Sequence, residues 1–314
     1  MPTANPPVII LDGGMGRELK RIGAPFRQPE WSALALIEGP DFVRRAHDAF
    51  IAAGANVITT NSYAVVPFHI GEERFRRDGR MLADRAGRIA REAADAAPHP
   101  VQVAGSLPPL FGSYRPDLFR EKEAAGIAAI LIAGLAPHVD LWLAETQGSI
   151  AEAAALHAAL AGDKRPFWVS FTLEDDDASA APCLRSHEPV AQAVRAALDW
   201  NAAAILFNCS QPEVMAPALA VAAEAIVGAK AAPMLGVYAN AFPPQPKDAE
   251  ANAGLSDIRA DLTPPRYLQF VDEWRRAGAA IVGGCCGIGP EHIQAIRAAL
   301  GNRSGEGKAG RGSI

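Results

Sequence analysis

The chain of 314 residues contains only four cysteines, and two of them, Cys285 and Cys286, are adjacent. So sparse a set excludes a disulfide framework and fits a reducing cytoplasm, where thiols serve as metal ligands or catalytic groups more often than as staples. No apolar run approaches the ~18–20 residues of a membrane span. The opening stretch MPTANPPVIILDGG lacks the basic and long apolar regions of a secretory signal. Basic excess is missing too: 30 Lys+Arg against 35 Asp+Glu leave a formal charge of −5, which argues against nucleic acid as a partner. No Pro-, Gly- or Ser-rich linker divides the interior, so one domain is expected over residues 1–300. From Gly301 the chain reads GNRSGEGKAGRGSI, a Gly-rich charged tail (301–314) expected to be disordered. The composition, 49% hydrophobic and 21% charged, is that of a globular protein with no membrane partner.

What is present is a repeat. Short apolar, β-branched runs alternate with Ala-rich helical stretches. The strands read Val8–Leu11, Asn56–Tyr63, Val101–Ser106, Asp140–Thr146, Phe167–Leu173, Ala203–Cys209, Pro233–Asn240 and Ala279–Gly284. Helices are expected over Asp41–Ala53, Arg80–Ala97, Ala124–Leu135, Ile150–Leu160, Pro189–Ala197, Met215–Val227, Pro265–Arg276 and Gly289–Leu300. Eight strand–helix units of about 36 residues each predict an α/β fold, the (β/α)₈ TIM barrel. Continuous rather than alternating apolar strands fit a parallel sheet buried on both faces. A doubly wound dinucleotide fold would place GxGxxG after the first strand, and Gly13-Gly14-Met15-Gly16 does not keep that spacing. The long segment Pro243–Thr263 is expected to be a loop of the lid or binding kind.

In such a barrel the chemistry gathers at the C-terminal ends of the strands. Read in order, those ends carry Asp12, Thr60 to Tyr63, Glu145-Thr146, Asn208-Cys209, Tyr238 to Asn240, and Cys285-Cys286. A single buried cysteine is usually just a small hydrophobe. Three at one barrel face, from strands close in the ring, are better read as a thiolate site for Zn²⁺ with its fourth position open. Asp12 and Glu145 could each simply cap a helix. With the thiolates they would instead form a negative pocket suited to a cationic substrate. The run Glu174-Asp175-Asp176-Asp177 reads as a solvated loop, and Cys183 as incidental. His69, His187 and His292 show no ligand spacing, and His292 is expected at the surface.

Together the motifs Leu11-Asp12-Gly13-Gly14-Met15-Gly16, Thr59-Thr60-Asn61-Ser62-Tyr63, Glu145-Thr146, Asn208-Cys209 and Gly283-Gly284-Cys285-Cys286-Gly287 resemble the zinc-dependent homocysteine S-methyltransferase family, in its order, over about residues 8–300. The resemblance implies that Cys209, Cys285 and Cys286 bind zinc and that Tyr63 lies by the metal. It also implies that Asp12 and Glu145, with the backbone at Gly13 and Gly14, hold the amino-acid end of homocysteine. The partners implied are a small-molecule thiol and a methyl donor. This chain departs from the family at Gln147-Gly148, where relatives commonly carry a bulky apolar residue and proline, and around Ala239-Asn240-Ala241-Phe242. No cobalamin- or folate-binding module is recognisable, so a sulfonium such as S-methylmethionine is the first expectation for the donor and a betaine-type ammonium the second. Another thiol or a selenol as acceptor, and a barrel with a structural zinc acting as a binding protein, are the alternatives. No sequence feature speaks to oligomeric state.

Overall fold

The structure, a computed structural model, describes residues 8–244 and 257–306. Eight short strands form its centre: β1 (Ile9–Ile10), β2 (Val57–Thr59), β3 (Gln102–Leu107), β4 (Leu141–Gln147), β5 (Phe167–Phe171), β6 (Ala204–Asn208), β7 (Met234–Tyr238) and β8 (Ile281–Val282). Around them run α1 (Met15–Arg21), α2 (Ala33–Glu38), α3 (Pro40–Ala52), α4 (Pro67–Ile70), α5 (Glu72–Asp95), α6 (Glu121–Leu135), α7 (Ile150–Ala159), α8 (Val190–Asp199), α9 (Pro212–Ala225), α10 (Pro264–Arg276) and α11 (Pro290–Glu306). All neighbouring strands pair in parallel in the order β1-β8-β7-β6-β5-β4-β3-β2. A parallel bridge between Leu11 and Val57 then joins the two ends. The ring is closed by that contact, and the expected (β/α)₈ barrel is the observed one.

Two apolar layers hold it. The larger one lies between strands and helices and includes Ile10, Ile58, Val103, Trp142, Val169 and Phe207. The smaller fills the barrel interior with Leu11, Val57, Leu141, Leu143, Trp168 and Leu206 among others. Successive strand residues point to opposite sides. The inward set therefore continues upward as Ala104 then Ser106, Leu143 then Glu145, Trp168 then Ser170, Leu206 then Asn208. Each of these four strands thus changes from apolar to polar one step below the C-terminal mouth, and this places the site.

Several details differ from the sequence reading. Strand β2 ends at Thr59, and Thr60 to Tyr63 form a turn in which Ser62 Oγ donates to the Ser106 carbonyl at 2.9 Å. Short helices α1, α2 and α4 precede the main helices of the first two units. The last helix continues past Leu300 to Glu306; residues 307–314 of the expected tail, like residues 245–256 of the expected loop, lie outside the described residues. His292, expected at the surface, is buried because its ring edges against Tyr267. Its Nε2 pairs with the Leu262 carbonyl at 2.9 Å, and its Nδ1 accepts from Gly289 N–H at 3.3 Å, so it ties the start of α11 to the loop before α10. Nor is the acidic run wholly solvated: Asp175 is buried against Arg185, with 2.7 Å between Oδ1 and Nη2.

Candidate active site and metal centre

At the mouth the sulfur atoms of Cys209, Cys285 and Cys286 all lie within 4.8 Å of one another. Cys209 follows β6 with φ +54°, a left-handed conformation uncommon for a residue with a side chain. It is set by Asn208, whose Oδ1 accepts from Ser170 Oγ (2.7 Å) and Thr146 N–H (3.0 Å) while Nδ2 donates to Thr146 Oγ1 at 2.8 Å. Thr146, also left-handed at φ +59°, is the other end of this clamp between β4 and β6. Cys285 and Cys286 follow β8, where Cys285 N–H donates to the Ala239 carbonyl at 2.8 Å.

The glycine pair after β1 is required by this packing. A Cβ on Gly14 would stand 2.6 Å from the Cys285 carbonyl oxygen and 3.0 Å from Cys286 Cα. Only a hydrogen at that position lets the first loop pass under the thiols. Both carboxylates that the sequence singled out are there. Asp12 accepts from Thr59 N–H at 2.7 Å and Thr59 Oγ1 at 3.0 Å. Glu145 accepts a short bond from Ser106 Oγ and a longer one, 3.5 Å, from Tyr238 OH. Burial raises the pKa of Asp12 to about 7, against the opposing bonds from Thr59. Burial likewise raises Glu145 to about 8, Ser106 opposing and the nearby Asp12 carboxylate adding. Among the thiols, hydrogen bonds from Cys285 and Cys286 pull Cys209 well below the usual thiol range. The same bonds hold Cys285 and Cys286 above it.

Asp12, Gly13, Gly14, Tyr63, Glu145 and the three cysteines all line one cleft that opens to solvent. Tyr63 turns its hydroxyl to Ser113 Oγ, 2.7 Å away. The tyrosine that touches sulfur is one the sequence reading passed over: Tyr114, whose hydroxyl donates to Cys209 Sγ at 3.0 Å. Trp31 and Ser106 were passed over as well, and Tyr238 was placed at its strand end without a role. Ser106 could have been found by stepping two residues along the inward set of its strand; Trp31 and Tyr114 come from loops and carry no periodic signal.

A family model described as homocysteine S-methyltransferase matches residues 9–300. The chain belongs to the homocysteine S-methyltransferase family. Its similarity to "Homocysteine S-methyltransferase 4" of Zea mays is 29% identity, covering 93% of this chain and 89% of that one. The selenocysteine methyltransferase of Astragalus bisulcatus is 26% identical, over 91% of this chain and 90% of the other. Among solved structures, the metallated form of the homocysteine methyltransferase MmuM from Escherichia coli superposes with a TM-score of 0.74 at 26% identity, covering 94% of this chain and 97% of that one. No helix among the described residues is long and apolar enough to cross a membrane.

Proposed function

We propose that this member of the family transfers a methyl group from a sulfonium donor, such as S-methylmethionine, to the sulfur of homocysteine, giving methionine. The observation that carries the reading is the gathering of three sulfurs within 4.8 Å beside two buried carboxylates in one cleft. The donor set fits zinc: three soft, anionic ligands from two strand ends, facing a cleft that leaves a fourth position open. Among the described residues no fourth Cys, His, Asp or Glu joins the cluster, whereas a structural zinc is held by four protein ligands. Cys209, Cys285 and Cys286 would hold the ion. Bound there, zinc lowers the pKa of a coordinated substrate thiol so that it is a thiolate at neutral pH.

The chain's own groups do the rest. Asp12 and Glu145 face the ammonium of the substrate, whose charge restores both carboxyls to the ionised form that burial opposes. The backbone at Gly13 and Gly14 comes close enough to line the amino-acid end of the substrate. Tyr63 closes the cleft from the β2 side. With the acceptor so fixed, its sulfur attacks the methyl carbon, the carbon–sulfonium bond breaks, and the donor leaves as a neutral thioether. Alignment of this kind lowers a two-substrate barrel reaction by roughly 7–11 kcal/mol in well-oriented systems. The partners are thus two small molecules, and unpaired thiolates of this kind suit a reducing cytoplasm.

Turnover of homocysteine with S-methylmethionine, a betaine and other methyl donors tests the proposal. Methionine formation fastest with a sulfonium is expected, and no thiol methylation with any donor would overturn it. The similarity to a selenocysteine methyltransferase puts a selenol on the acceptor panel.

A further inference from the structure

Tyr114 has no task in the reaction as described, yet it is the side chain whose hydroxyl touches a thiol of the cluster. It sits in the loop between β3 and α6 with φ +65°. Behind its ring lies the guanidinium of Arg185, 5.3 Å from the ring centroid. Arg185 is paired with Asp175 at 2.7 Å, and the two side chains are 2% and 0% exposed. Asp175 in turn accepts from Gln211 N–H at 3.1 Å, and its carbonyl accepts from Gln211 Nε2 at 2.6 Å. Gln211 stands two residues after Cys209. The loops that follow β3, β5 and β6 are therefore tied into one unit, with Tyr114 Oη as its tip against Cys209 Sγ. A buried ion pair is expensive to desolvate and gives little stability that apolar side chains would not. Its position one aromatic ring away from the thiols points to a service to the site.

We propose that Tyr114 is a positioning residue whose hydroxyl bond, aimed by the Arg185–Asp175 pair, masks the Cys209 sulfur from the methyl donor. This rests on the proposed three-thiolate metal site. A sulfonium bound in the cleft meets several sulfurs of similar chemistry, and only the substrate's is the correct nucleophile. A hydrogen bond to an anionic sulfur stabilises its lone pairs and is lost on methylation, because a thioether is a weak acceptor. The side reaction so suppressed is simple to balance. A bond forms between Cys209 Sγ and the methyl carbon, and the carbon–sulfonium bond breaks with its electron pair passing to the departing thioether. The thiolate's negative and the sulfonium's positive charge cancel. The product at position 209 would be a neutral thioether, and the site would lose one of its three anionic ligands.

The test compares wild type with Tyr114→Phe, which keeps the ring and the contact with Arg185 and removes only the hydroxyl. Both proteins, loaded with zinc and without homocysteine, are exposed to methyl iodide, and methylation of each cysteine is read by peptide mass spectrometry. The share of label on Cys209 relative to Cys285 and Cys286 is expected to rise about tenfold in the variant, the scale of one hydrogen bond to a charged group. An unchanged share overturns the proposal, and so does an equal rise at all three cysteines, since mere loosening would expose them alike. Arg185→Lys should raise the Cys209 share in the same direction by a smaller factor; no rise there overturns the part assigned to the ion pair. Cobalt(II) separates this inference from the reading it rests on. Wild type loaded with cobalt must show thiolate-to-metal charge-transfer bands, and their absence would sink the metal site itself. With the bands present, a shift to longer wavelength in Tyr114→Phe is expected, and unmoved bands count against the hydroxyl bond.

Discussion

Replacing Glu145 with glutamine separates function from stability at one residue. The side chain is buried, bonded to Ser106 Oγ and Tyr238 OH, and glutamine is close enough in shape to keep both neighbours. Burial lifts its pKa from the ordinary 4.5 to about 8, which corresponds to a penalty on the ionised form of about 4–5 kcal/mol. Because the folded pKa is the higher one, the folded protein binds more protons than the unfolded chain between about pH 4.5 and 8. The stability linked to Glu145 is therefore complete below about 4.5 and is lost as pH rises through about 8. Glutamine carries no charge to bury. In urea unfolding of the metal-free protein, Glu145→Gln should lose less stability than wild type on going from pH 5 to pH 9, by a few kcal/mol. Binding should move the other way. Loss of a charged hydrogen bond to the substrate ammonium costs roughly 1.5–3 kcal/mol, a tenfold to hundredfold rise in KM for homocysteine. Metal content should not change. A KM equal to that of wild type, together with the same pH dependence of stability, would refute both the placement and the charge argument.

The purified protein is expected to carry about one zinc per chain, and metal analysis of a Cys285→Ala, Cys286→Ala double variant should find it gone. Gly14→Ala should lower both metal content and folding stability, the latter by about 1–3 kcal/mol, since its Cβ would collide with the backbone of Cys285 and Cys286; unchanged metal affinity and Tm would show that the first loop yields freely. Peroxide should release zinc and stop methyl transfer, and reductant with zinc should restore both while reductant alone does not. Circular dichroism should show the metal-free protein still folded, because the two apolar layers and not the metal hold the barrel; collapse on zinc removal would point to a structural ion.

Much of the site was legible because strand ends are easy to find. Each of Asp12, Glu145, Cys209 and Cys285-Cys286 stands where an apolar run stops, and in a parallel barrel all such stops face one mouth. His292 and Asp175 were misjudged for a common reason. A polar residue is assigned to solvent by default, and only a distant partner, Leu262 for one and Arg185 for the other, makes its burial tolerable. Tyr114 was overlooked because it lies in a loop, where no periodicity marks which side chain turns inward.

The sequence by itself determined the number and order of the strand–helix units, the closed parallel barrel they imply, the face at which its chemistry lies and the family to which it belongs. These follow from local patterns: apolar runs, their period and the residues at their ends. Tertiary structure alone decided which groups touch. It brought Cys209 to Cys285 across 76 positions of chain and Tyr114 to Cys209 across 95. It also raised two carboxyl groups toward neutrality by burying them together. Distances and desolvation depend on how separate strands close around one axis, and no local stretch of sequence contains that closure.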